Sequence, residues 1–454
     1  MRKHAFALGA LLALGFAVPA GAATGAWSPP AVLGSCTANG APQVLFPSDR
    51  PNHATGPGAI VWSTGSGCVG GAGARVAALG PGDIPVTPVV PSAASSHQIA
   101  PRGTIEASGA PHGNIVIAGS SPLHPGRTLV IQGRANGPFA QLGEIPSDST
   151  PPALSHAYLG DFALASPDAT GAGEELRVSV ERYFARQLVP RKAVSSWTGN
   201  AAGAVSVALD YRTDVLTVWA QNGSLWAHDM PASEALQPVQ RLASVKPGVR
   251  VAALLSDDNR ATVAWAQESA GVSSVYLERS AVGVRFGKPK LLERFRNPDG
   301  LTDPTGSPRL VRLSSESVML AWAGAAAGHW VIRTAAIDFG GVGTVATIAA
   351  PGADALLAGL AAGPRDDALL LWSQPQQSPE GAPELGSEAL MSAHGGERFP
   401  DATVFGAPEQ IAPPGPSANP TVAFDPASDR AVAAWQGAGG TLQYSVRSPP
   451  APSG

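Results

Sequence analysis

The chain has 454 residues, 44% hydrophobic and only 14% charged, with a net charge of −4; that charged share is well under the usual quarter. It carries no basic run, which argues against a nucleic-acid partner, and no apolar run beyond its N-terminal segment is long enough to cross a bilayer. Gly (53) and Pro (43) are spread evenly rather than clustered, which indicates many tight turns and not disorder.

The chain opens on Arg2, Lys3 and His4, then an apolar stretch over residues 5–20 that is too short for a comfortable membrane span. Ala20-Gly21-Ala22 fits the small-x-small rule of signal peptidase. Residues 1–22 are therefore expected to be an export leader, with the mature chain starting at Ala23. The expected location is outside the cytoplasm, extracellular or, in a cell with an outer membrane, periplasmic. Cys36 and Cys68 are the only cysteines. In an exported protein such a pair favours a disulfide, worth about 3 kcal/mol if unstrained. Two thiols without a matching His pair make no closed zinc site.

From there a short unit repeats. An apolar strand is followed by a turn and a second apolar strand, ending near Trp62, Ala118, Ala165, Trp219, Trp265, Trp322, Trp372 and Trp435, at intervals of 46 to 63 residues. The last copy is the clearest. Residues 419–424 read as a first strand, residues 425–429 as an Asp-rich turn, residues 430–435 as a second strand and Leu442–Arg447 as a third. A fourth element of the form aromatic-x-x-Pro-x-x-aliphatic follows the third strand in other copies, as at Phe286–Leu292 and Phe405–Ile411. The second strands are nearly all apolar and rich in Ala, as expected of strands buried on both faces in a tapering arrangement.

Four-stranded units repeated in this way predict an all-β chain, a single β-propeller over residues 23–448 with a flexible tail over residues 449–454. Eight blades are expected from the repeats, with seven as the alternative count. An orphan fourth element over residues 27–33 and a last unit lacking one predict that the N-terminal strand completes the last blade and hides both edges. The Trp stripe is expected to be core between blades, with Trp226 and Trp330 on third strands. Trp197, in a Ser-Ser-Trp-Thr-Gly loop, is the Trp expected to make a surface ligand contact.

The junction of third strand and fourth element resembles the Asp-box (BNR) repeat of sialidase-like propellers. Ser392-Ala-His394-Gly-Gly396-Glu-Arg-Phe399 carries it with His in place of Asp; Ser280-Ala-Val-Gly283-Val-Arg-Phe286 and Arg134-Ala-Asn136-Gly137-Pro-Phe139 are more degenerate. In that family the box is structural and lies away from the active face, so the resemblance implies a fold and not an activity. Sialidase chemistry there uses three Arg, a Tyr activated by Glu, and an Asp. Phe295-Arg296-Asn297-Pro298 echoes the family's F-R-I-P motif and makes Arg296 a candidate ligand contact, in what reads as a loop between blades. Tyr276 and Glu278 share a strand face by period two, a plain surface pair on this reading.

No nucleophile elbow, H-E-x-x-H, P-loop or dinucleotide fingerprint is present. The catalytic residues are unknown, and no cofactor or metal is implied. The expected role is an extracellular binding or scaffold module, a monomer that meets a glycan or protein ligand on its top face. The alternative is a sialidase-like glycoside hydrolase or lyase that uses the axial pocket. The 25 Arg against 5 Lys, with abundant Ala, Gly and Pro, point to a high-GC bacterial genome. The exported protein should begin at Ala23 by intact mass and gain two hydrogens on reduction. A mass unchanged by reductant would remove the disulfide.

Overall fold

The computed structural model describes residues 25–35, 37, 40–50, 53–68, 71–88, 101–110, 113–146, 152–156, 161–170, 173–181, 189–197, 204–230, 238–280, 285–298, 308–313, 317–338, 340–348, 353–377, 383–395 and 405–449. The expected leader, Cys36, positions 281–284 and 396–399 of two Asp-box-like junctions, and residues 450–454 of the tail lie outside them. Cys68 is buried.

The apolar second strands of the repeat become the second strands of antiparallel sheets that follow one another along the chain. Sheet 1 has three strands, Gln43–Leu45, Ala59–Thr64 and Gly73–Ala78. Sheet 2 is Arg102–Ala110, Asn114–Ser120, Arg127–Arg134 and Phe139–Pro146; sheet 3 is Ala153–His156, Phe162–Thr170, Gly173–Glu181 and Val189–Trp197. Sheet 4 is Val205–Leu209, Val215–Gln221, Ser224–Met230 and Gln240–Ser244; sheet 5 is Arg250–Leu255, Ala261–Ser269, Val272–Arg279 and Lys290–Arg296. Sheet 6 runs from Arg309–Arg312 through Val318–Ala326 and His329–Asp338, whose outer edge pairs with Gly341–Val342 and Ala346–Ile348. Sheet 7 is Leu356–Ala362, Ala368–Gln377, Pro383–Gly395 and Glu409–Gly415, and sheet 8 is Ala418–Phe424, Ala431–Gln436 and Leu442–Arg447.

The fourth strand of sheet 8 is Ala31–Gly34, which pairs antiparallel with Leu442–Arg447, while Trp27 bridges to Arg447. The N-terminal strand thus lies where the orphan fourth element was expected. Seven sheets have four or more described strands, giving a seven-blade β-propeller arrangement and matching the smaller of the two expected counts. The eighth repeat counted in the sequence is the three-stranded sheet 1.

Each first strand touches the first strands of the neighbouring sheets, so the first strands lie innermost and line the axis. The second strands are buried on both faces: every described side chain of Ala59–Thr64 and Val215–Gln221 is buried. Their small residues are what allow two sheets to approach at interior packing density. Trp219, Trp265, Trp322, Trp372 and Trp435 are at most 1% exposed, as core between blades. Each packs against the preceding sheet; Trp265 lies among Leu216, Val218 and Ala227 of sheet 4, and Trp435 against Leu369 and Leu371 of sheet 7. Trp62 does the same against Val432 and Ala434 of sheet 8.

Two copies depart from this. Ala118 and Ala165, aligned with the Trp positions in the sequence, face the following sheet instead. Side chains alternate along a strand, so a one-residue slip in alignment reverses the face. Both residues stay in the core, and Phe162 and Leu164 fill the face that Trp covers elsewhere.

Replacing Trp435 by Ala should cost about 3–5 kcal/mol by urea denaturation, the usual range for emptying a buried aromatic site. A loss below about 1 kcal/mol would contradict its place in the core.

Candidate functional site

Polar side chains reach two cavities, one at each end of the sheets. The upper end is where the first strands begin, and the lower end is where they finish.

The upper cavity, about 230 Å³, lies between sheets 5 and 6. Its polar wall is Arg250 at the start of the first strand, Gln267 and Glu268 near the end of the second, and Ser273 at the start of the third. Phe295, from the end of the fourth strand, supplies an aromatic wall. Its ring is held edge-to-face on Trp330 of sheet 6, with centroids 5.9 Å apart. The Gln267 side-chain oxygen accepts the Lys246 N–H at 3.1 Å. The Oε2 atom of Glu268 is buried and accepts no hydrogen bond from any described residue. A buried carboxylate oxygen without a donor costs free energy.

Below this cavity the two sheets are clamped together. Glu293 of sheet 5 accepts the Trp322 indole N–H at 2.7 Å and pairs with Arg333 Nε at 3.3 Å. The clamp fixes the wall on which Phe295 sits.

The lower cavity, also about 230 Å³, opens on the axis between the finishing ends of four first strands. Ser155 and His156 come from sheet 3, Val207 and Leu209 from sheet 4, Leu254 from sheet 5 and Arg312 from sheet 6, and Tyr211 follows the sheet 4 strand. The His156 Nδ1 atom lies 2.6 Å from the Ser108 hydroxyl of sheet 2. Burial, reinforced by the Arg312 charge, lowers the His156 pKa to about 4, so the imidazole is neutral at pH 7. One sheet further round, Glu106 takes a hydrogen bond from Gln43 Nε2 at 3.3 Å, and burial raises its pKa to about 7.

The residues singled out from sequence fall elsewhere. Arg296 is exposed at the last position of the sheet 5 fourth strand, and only its neighbour Phe295 reaches a cavity. Trp197 is the last residue of a strand, paired with Glu174, and not in a loop. In both places the polar residues belong to outermost strands, which end at Trp197 and Arg296. Tyr276 and Glu278 are no surface pair. Tyr276 stacks on Trp265 at 5.4 Å, and Glu278 is 3% exposed with both carboxyl oxygens unpaired among the described residues. Among the described residues neither cavity joins several Arg with a Tyr and a Glu, and no group of three His, Cys, Asp or Glu is placed to hold a metal. No described helix is long and apolar enough to cross a membrane.

His394, which stands where the Asp-box has Asp, is 2.5 Å from Asp367 in the first hairpin of sheet 7. That contact braces the first hairpin of sheet 7. The described turns also explain the Asp-rich hairpins. Asp210 Oδ1 accepts the N–H groups of Arg212 and Asp214, and Asp425 Oδ1 accepts that of Ala427.

No protein-family model matches the chain, and no curated protein matches it. Similar solved structures include the polysaccharide lyase Uly1, at 11% identity over 79% of this chain and 92% of that one, with a TM-score of 0.44. A eukaryotic initiation factor gives 12% identity over 79% and 76%, TM-score 0.42. The subtype N10 neuraminidase-like protein of A/little yellow-shouldered bat/Guatemala/060/2010 gives 8% over 65% and 93%, TM-score 0.36. No ligand or activity is carried over from them.

Burial raises the Glu278 pKa from 4.5 to about 7. The folded state therefore holds a proton that the unfolded state releases, and stability falls as pH rises from about 4.5 to about 7 before levelling. Glu278→Gln should flatten its share of that fall and raise stability at about pH 8.5 relative to about pH 5, as measured by denaturant titration at each pH. An unchanged pH profile would contradict the buried, unpaired carboxyl.

Proposed function

We propose that this protein is an exported binding module that holds a sugar ring of a glycan in the upper cavity between sheets 5 and 6. The observation that carries the reading is that Glu268, with an unpartnered buried oxygen, and the aromatic Phe295 line one cavity. Sugar hydroxyls supply the donors that Glu268 lacks, and the apolar C–H face of a sugar packs on an aromatic wall. Arg250, Gln267 and Ser273 add further hydrogen-bonding groups around the same space.

The test is a glycan array probed with the chain from Ala23, followed by titration of the best binder. Glu268→Ala and Phe295→Ala should each weaken binding about tenfold or more, as expected for losing a charge-assisted hydrogen bond or an aromatic wall. A folded protein that binds no glycan, or binding that survives both substitutions, would overturn the assignment. Hydrolysis or elimination of the bound glycan would replace a binding module with an enzyme.

A further inference from the structure

The lower axial cavity is separate from the upper one and shares no residue with it. Hydrogen-bond donors dominate its polar groups. The Tyr211 hydroxyl accepts the Arg212 Nε–H at 2.7 Å, which turns its own O–H toward another acceptor. Ser155 offers a hydroxyl, and Arg312 a guanidinium whose side chain is 15% exposed. The two nearby carboxyl groups are engaged. Asp257 pairs with Arg312, which also donates to the Leu255 carbonyl, and Asp210 is bound to the backbone of its own turn. Arg312 also acts on His156, adding to burial in lowering its pKa. Val207, Leu209 and Leu254 form an apolar side to the same space.

We propose that this lower cavity is a second small-molecule site that takes an organic oxyanion, its carboxylate or phosphate group toward Arg312 and Tyr211 and its body against Val207, Leu209 and Leu254. An anion there meets hydrogen-bond donors from Ser155, Tyr211 and Arg312 around one space. The site spans the first strands of sheets 3 to 6, so its occupant would tie four sheets together at the axis.

The full mature chain is titrated with glucuronate, glucose 6-phosphate and glucose, following the His156 imidazole signals by NMR and the heat of binding by calorimetry. Glucuronate or glucose 6-phosphate should shift the His156 signals saturably and raise its pKa, and which of the two does so identifies the oxyanion. Glucose should leave those signals in place even if it occupies the upper cavity. Arg312→Gln should weaken anion binding about tenfold or more, while Phe295→Ala should leave it unchanged. Because Arg312 also joins sheets 5 and 6, Tyr211→Phe serves as a gentler variant and should weaken binding several-fold. The proposal is overturned if neither anion moves the His156 signals, if glucose moves them equally, or if the folded variants bind the anion as the parent does.

Discussion

Everything else in this protein depends on the close approach of second strands from neighbouring sheets. A strand covered on both sides must be apolar throughout, and at this spacing it must also be small on one face. Ala434, Ala264 and Ala321 satisfy the second demand, and Trp435, Trp265 and Trp322 fill the room that remains toward the preceding sheet. Each Trp buries a large apolar surface, so the repeat supplies an anchor at interface after interface. The first strands are carried inward by this packing and come to line the axis.

That framework decides where chemistry can sit. Between the sheets there is space only for matched side chains, and a polar group caught there, such as Glu278, has its pKa raised to about 7 by burial. Polar groups with room for a guest occur where strands begin or finish. At the upper end, four strands of sheet 5 bring Arg250, Glu268, Ser273 and Phe295 together. At the lower end, the first strands of four sheets bring His156, Leu209, Leu254 and Arg312 together. The paired hairpins contribute rigidity at that end, through Asp210 and the Asp367–His394 pair.

The scaffold was legible because its constraint is local and periodic. An Ala-rich run ending in Trp announces a strand buried on both faces, and the aromatic-x-x-Pro element at residues 27–33 announces the strand that completes sheet 8. Where the signal weakened, at Ala118 and Ala165, the alignment slipped by one residue and reversed the face. Outer strands were harder to read, since Val189–Trp197 and the end of Lys290–Arg296 carry polar residues that look like loop. The cavities were not legible at all. Their residues come from different strands or different sheets, and no spacing along the chain marks their meeting. One signal was present: Glu268 is a charged residue near the end of an otherwise apolar second strand that begins Ala-Thr-Val-Ala-Trp.

The sheets form one packed assembly, with the N-terminal strand an integral part of sheet 8. Hydrogen exchange of the whole chain, read peptide by peptide, tests it most directly. The second strands should be the slowest-exchanging segments of every sheet, Ala59–Thr64 of the three-stranded sheet 1 should be protected like the others, and Ala31–Gly34 should open together with Leu442–Arg447. Rapid exchange of residues 31–34 while residues 442–447 stay protected, or of residues 59–64 while sheets 2 and 8 stay protected, would contradict it.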